Sequence, residues 1–124
     1  MLPPDFVADV DALRSDGLAI DTAEDGVANA IVHAYPVPPG FSKQSTELLI
    51  RAPMSYRNGK PDMFWTDKDL VLASGGVPQN AEKIERYLDR DWRRFSWHPQ
   101  NWNPGADDLR TYLEFINARL RQPR

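Results

Sequence analysis

Trp92-Arg93-Arg94-Phe95-Ser96-Trp97-His98-Pro99-Gln100-Asn101-Trp102-Asn103-Pro104 is the stretch on which the reading of this chain turns. Aromatic and polar side chains mix here with no helical or strand period, so the stretch reads as irregular. Regularity returns just beyond it. Leu109, Tyr112, Leu113, Ile116 and Leu120 recur at helical spacing and predict a strong C-terminal helix. Asn103 or a neighbour is expected to cap it, with Pro104 in the first turn. Asp107 and Asp108 suit the positive end of the helix dipole.

Working back from the quoted stretch, Ile84, Tyr87 and Leu88 suggest a short helix over 81–88. Residues 71–80 read as loop, marked by Ser74-Gly75-Gly76 and Pro78. Strands are expected at 63–65, 46–52 and 27–35, with another beginning over 18–20 before the turn Glu24-Asp25-Gly26. In the 27–35 strand, Val27, Ile31, His33 and Tyr35 share one face. Ala28, Ala30, Val32 and Ala34 make a small-residue face against which a helix packs closely. Short loops between successive strands suggest an antiparallel meander. At the N-terminus, Phe6, Val10 and Leu13 predict an amphipathic helix over 4–15 that Gly17 ends. The reading is a single α+β domain spanning 1–124.

Composition bounds what such a domain does. The chain has 124 residues, 41% hydrophobic and 27% charged, with net charge −3. A chain of this length buries a core without metal or disulfide staples. The acidic balance disfavours nucleic acid and anionic membrane as partners. Arg90, Arg93 and Arg94 interleave with Asp89 and Asp91, which reads as a solvated mixed-charge surface. There is no cysteine, so disulfides, thiolate metal sites and thiol nucleophiles are excluded. His33 and His98 are isolated and lack ligand spacing, so no metal and no cofactor is expected. Ser74-Gly75-Gly76 lacks the lysine of a phosphate loop. No signal peptide or membrane span is expected, and a cytoplasmic location is compatible with this composition.

The order of helix, four-stranded meander, irregular segment and helix resembles the ubiquitin-conjugating fold. Tyr56 through Pro61-Asp62-Met63-Phe64 is similar to that family's tyrosine, prolines and short strand. Trp102-Asn103-Pro104 is similar to its tryptophan-x-proline. Within the family, the chain most resembles prokaryotic E2-like proteins of bacterial ubiquitin-like conjugation operons. The residues that carry this are Pro61 to Trp65, Phe95-Ser96-Trp97-His98, and Trp102 to Asp107. Arg57 departs from the broader pattern, which has a proline after the tyrosine. The histidine-proline pair at His98-Pro99 lies too close to Trp102 to hold its usual place. Aligned by Trp102, the family's missing cysteine falls near Ser96.

The resemblance implies that the chain carries a ubiquitin-like modifier from an activating enzyme to a protein target. Without sulfur no thioester forms, but a serine could carry an oxyester if a base takes its proton. Ser96 is the candidate nucleophile and His98 the candidate base. Imidazole suits proton transfer near neutral pH, Pro99 biases His98 toward extended backbone, and residues i and i+2 then share a side. Asp107 or Asp108 is the candidate to orient the imidazole, and Asn101 or Asn103 to donate to an oxyanion. Other readings stay open beside these. Loop serines commonly bond backbone, a histidine before proline is commonly structural, and loop asparagines commonly cap turns. The tryptophans are first of all packing. Phe95, Trp97 and Trp102, or the sheet, would instead form a docking surface if the chain holds the modifier non-covalently; a third reading is a structural subunit of a larger conjugation complex with no direct modifier contact.

Overall fold

Helical spacing at the N-terminus is realised in the computed structural model, which describes residues 1–124. Helix α1 runs Pro4–Ser15 and buries Phe6, Asp9, Val10 and Leu13, all on one side. Pro occupies the first turn, where its missing N–H costs nothing. Gly17, at φ 100°, takes the left-handed conformation that a side chain disfavours. It lets Gly17 N–H reach Arg14 C=O and Leu18 N–H reach Leu13 C=O, which together close the helix end.

Strands follow as β1 (Ile20–Glu24), β2 (Ala28–Pro36), β3 (Ser45–Ala52), β4 (Phe64–Asp67), β5 (Ile84–Tyr87) and β6 (Arg90–Phe95), before α2 (Leu109–Leu120). They form one sheet in the order β1-β2-β3-β4-β6-β5, antiparallel throughout. The architecture is α+β and consistent with a ubiquitin-conjugating fold. The expected four-stranded meander is present, and two further strands extend it. β5 and β6 come from segments read as a helix over 81–88 and as irregular. The chain reverses between them at Leu88 and Asp89, both at positive φ, which is the conformation a tight hairpin needs.

Both helices lie on one face of the sheet. Their side chains close over Ala28, Ala30, Val32, Leu48, Ile50, Phe64 and Phe95, all at most 1% exposed. The small side chains of β2 thus do what their spacing predicts. The pattern then breaks: a bulge between Val32 and Tyr35 leaves Ala34 exposed and turns Tyr35 into the core, where its hydroxyl donates to Asn117 Oδ1 at 2.5 Å. The opposite face carries a smaller cluster of Leu49, Trp65 and Trp92. Arg51 over Tyr87 and Arg90 over Trp92 cap that cluster at 3.7 and 4.0 Å from the rings. The basic run is correspondingly not all solvated. Arg93 is buried and donates to the carbonyls of Lys68 and Ala81, tying the long 68–83 connection to the sheet. No helix is long and apolar enough to cross a membrane.

The bulge also presents His33 to two carboxylates. Its Nε2 lies 2.8 Å from Asp21 on β1 and its Nδ1 lies 2.8 Å from Glu47 on β3. Both nitrogens donate only in the imidazolium form. The hydrogen bond to Glu47, then that to Asp21, raises the His33 pKa above its ordinary value. The stability this supplies is full below the ordinary histidine value of 6.5 and is lost as pH rises through the raised folded value. The side chain is 38% exposed, so solvent screening limits the effect to under about 1 kcal/mol. Urea midpoints measured across this range should fall with rising pH, and His33→Gln should flatten that fall. An unchanged slope in the variant would remove His33 as its source.

Candidate functional site

Strand β6 sets the direction of every side chain leading into the site. Phe95 points to the core, fully buried and stacked on Phe64 at 4.9 Å between ring centres. It therefore has no surface to offer a partner. Arg94 and Ser96 share the other side, as alternation requires. Backbone bonds from Ser96 N–H to Asn80 C=O and from Trp97 N–H to Phe95 C=O, both 2.9 Å, turn the chain sharply at Ser96.

Ser96 is half-buried there, and its Oγ accepts a hydrogen bond from Arg94 Nε at 2.9 Å. The same guanidinium meets Glu85 Oε2 at 3.0 Å, and Glu85 Oε1 accepts from Trp65 Nε1 at 2.9 Å. Arg94 is thus fixed from β5 and β4 and presents one N–H to the serine oxygen. Trp97 lies next along the chain, half-buried, with its indole N–H on Gln79 C=O and Arg119 4.5 Å over its ring.

His98 is not hydrogen-bonded to Ser96. Its Nδ1 lies 2.7 Å from Asp62 Oδ1, and its side chain is 52% exposed with Nε2 unpartnered. Asp62 belongs to the loop between β3 and β4, and that loop is stapled to the 96–107 segment. Trp102 Nε1 donates to Arg57 C=O at 2.8 Å, and Lys60 Nζ donates to Pro99 C=O at 3.1 Å. Trp102 also packs between Tyr56 and Tyr112. The Tyr112 hydroxyl donates to Met63 C=O at 2.5 Å, and burial, with the nearby Asp62 charge, pushes its pKa up.

The remaining candidates fold the loop onto itself. Asn101 is exposed at φ 60°, a conformation asparagine tolerates. Asp107 Oδ2 accepts from Asn103 N–H at 2.7 Å, and Asn103 Oδ1 accepts from Gly105 N–H at 3.0 Å. Asp108, not Asn103, caps α2: it accepts from Thr111 N–H at 2.9 Å while its own N–H donates to Thr111 Oγ1 at 3.0 Å. The helix therefore starts at Leu109, and Pro104 lies in the turn ahead of it. Neither Asp107 nor Asp108 hydrogen-bonds His98; Asp62 does. A cleft of about 140 Å³ opens beside this loop, walled by Pro99, Trp102, Tyr112 and Phe115 with Asp107 at its side. No group of three or more histidine, cysteine, aspartate or glutamate side chains is placed to hold a metal ion.

Sequence reasoning missed Arg94 and Asp62 as site residues. The signal for Arg94 was the alternation Trp92, Arg94, Ser96 against Arg93, Phe95. Asp62 gave no local signal, because it lies 36 residues from His98. A family model described as prokaryotic E2 family E matches residues 6–123. No curated protein and no solved structure matches the chain.

Proposed function

This chain belongs to prokaryotic E2 family E, and from that premise we propose that it accepts a ubiquitin-like protein on Ser96 as an oxyester and passes it to a target amine. Membership supports a role in ubiquitin-like conjugation, with a ubiquitin-like protein and an activating enzyme as partners. The observation that carries the serine assignment is the 2.9 Å hydrogen bond from Arg94 Nε to Ser96 Oγ. A serine is a weak nucleophile and its alkoxide a poor leaving group. A guanidinium N–H on that oxygen stabilises the negative charge that develops in both directions of transfer. The Ser96 hydroxyl donates to no side chain, so the proton it loses on attack passes to solvent or to the incoming complex.

The chain should be incubated with the activating enzyme and ubiquitin-like protein of its host, plus ATP. A covalent adduct is expected that withstands mild reductant and is cleaved by base or hydroxylamine. Ser96→Ala should form none, and the same adduct on that variant would sink the assignment.

One observation favours a second reading, in which the modifier is held without a bond. His98 is engaged by Asp62, which leaves Ser96 without a base at hydrogen-bond distance. Trp97 or the outer sheet face would then be the docking surface. In that case titration with the modifier saturates equally well for Ser96→Ala, and no adduct forms.

A further inference from the structure

Loss of sulfur raises the demand on proton transfer when the acyl group leaves the carrier. An amine attacking an ester first forms a tetrahedral intermediate with a positive nitrogen and a negative oxygen. That intermediate expels whichever group departs more easily. A thiolate departs readily, since a free thiol titrates near about 8.5. A serine alkoxide departs less readily than a neutral amine. The intermediate therefore falls back to ester and amine until the nitrogen gives up its proton. An oxyester carrier therefore depends more heavily on a base at the incoming nitrogen than a thioester carrier does.

The Asp62–His98 pair has the form of such a base. We infer that His98 Nε2 takes the proton from the acceptor amine during transfer off Ser96, with Asp62 as the positioning residue; this rests on Ser96 as the acyl carrier. The 2.7 Å contact with Asp62 places the proton of a neutral imidazole on Nδ1 and leaves Nε2 as the acceptor. Nε2 has no partner of its own, and the ring is 52% exposed, open to an amine arriving from solvent. Both halves of the pair are held. Pro99 biases His98 toward extended backbone, and the Lys60 and Trp102 bonds fix its segment to the loop that carries Asp62.

In the step itself, the amine nitrogen bonds to the acyl carbon and its proton passes to His98 Nε2. The carbon–Oγ bond then breaks with its electron pair going to Ser96. Oγ takes a proton from solvent and the imidazolium returns one, so serine and imidazole are both regenerated.

The test compares two nucleophiles on adduct freed of ATP. Free lysine has a strongly basic amine, near about 10.4, and needs the base. Hydroxylamine is weakly basic, and its intermediate loses the proton to water unaided. His98→Ala should slow discharge to lysine by about 10²-fold while leaving discharge to hydroxylamine within about twofold. Added imidazole should restore the lysine rate. Asp62→Asn should lower the lysine-to-hydroxylamine ratio by about tenfold. If both variants load and keep the wild-type ratio, the pair is no base and Ser96 stands as carrier. If neither variant loads, the pair serves an earlier step or the fold, which also overturns the inference. Absence of any adduct on the unaltered chain overturns the Ser96 reading itself.

Discussion

Asp9→Ala is expected to lower the unfolding free energy by about 3 kcal/mol, toward the bottom of the range for breaking a buried ion pair. Asp9 is 7% exposed on the core side of α1. Its carboxylate meets two donors from the loop after β3: the Tyr56 hydroxyl at 2.5 Å, and the Arg57 guanidinium at 2.5 Å through Nη2 and 3.2 Å through Nε. Burial first, and then the Asp9 carboxylate, push the Tyr56 pKa up, while the hydrogen bond to Asp9 pushes Arg57 up. The hydroxyl and the guanidinium thus hold their protons for one acceptor. Removing that acceptor strands a tyrosine hydroxyl on a side chain that is 5% exposed. Arg57 is 30% exposed and regains some water, which is why the low end of the range applies. Asp9→Asn keeps an acceptor for Tyr56 but loses the charge, and should cost roughly half as much. Urea unfolding with linear extrapolation reads both values. A loss under about 1 kcal/mol for Asp9→Ala would mean that the pair is effectively solvated. The same interaction explains Arg57, the residue standing where the broader family pattern has proline. It anchors the loop that carries Asp62, and its carbonyl receives Trp102.

How far the sequence could be read depended on whether each feature was local. The two helices were legible because Phe6, Val10 and Leu13, and Leu109, Tyr112, Leu113, Ile116 and Leu120, bury at the period of a helix. The 81–88 segment misled for the same reason. Ile84, Tyr87 and Leu88 have helical spacing, yet they lie on a strand and a hairpin turn, and Leu88 adopts a positive φ that leucine rarely takes. Leu88 packs against Trp92's cluster, so tertiary contact overrides local preference. The start of α2 was misplaced because Asn103, Pro104, Asp107 and Asp108 all look like helix-start residues; only the reciprocal bond with Thr111 singles out Asp108. At the site, Ser96 and His98 were visible as residue types. Their partners were not. Arg94 becomes visible once β6 is known to be a strand, and Asp62 only once two loops are brought together.

Arg94→Met is expected to slow formation of the Ser96 adduct by about 10²–10³-fold, the loss typical of removing one donor from a developing oxyanion. Methionine keeps much of the stem and removes the N–H that reaches Oγ. The alkoxide that forms as Ser96 attacks then loses its only charged hydrogen-bond partner. Stability should change little. The Arg94–Glu85 pair is about a quarter exposed on each side, and Glu85 retains its bond from Trp65. A loss of about 1 kcal/mol bounds the effect. Glu85→Gln separates the two roles of the guanidinium. It removes the ion pair but leaves Nε beside Oγ, with the positive charge no longer shared with a carboxylate. Adduct formation on that variant should hold or rise. Equal slowing in Arg94→Met and Glu85→Gln would mean that the pair merely braces β5 against β6, and the charge stabilising the serine oxygen would have to come from elsewhere. Arg94→Lys refines the point. An ammonium cannot span Glu85 and Ser96 with the fixed fork that Arg94 uses at 3.0 and 2.9 Å. It should therefore fall between the wild-type and methionine rates. A lysine variant as slow as methionine would show that geometry, rather than positive charge alone, makes the serine oxygen competent.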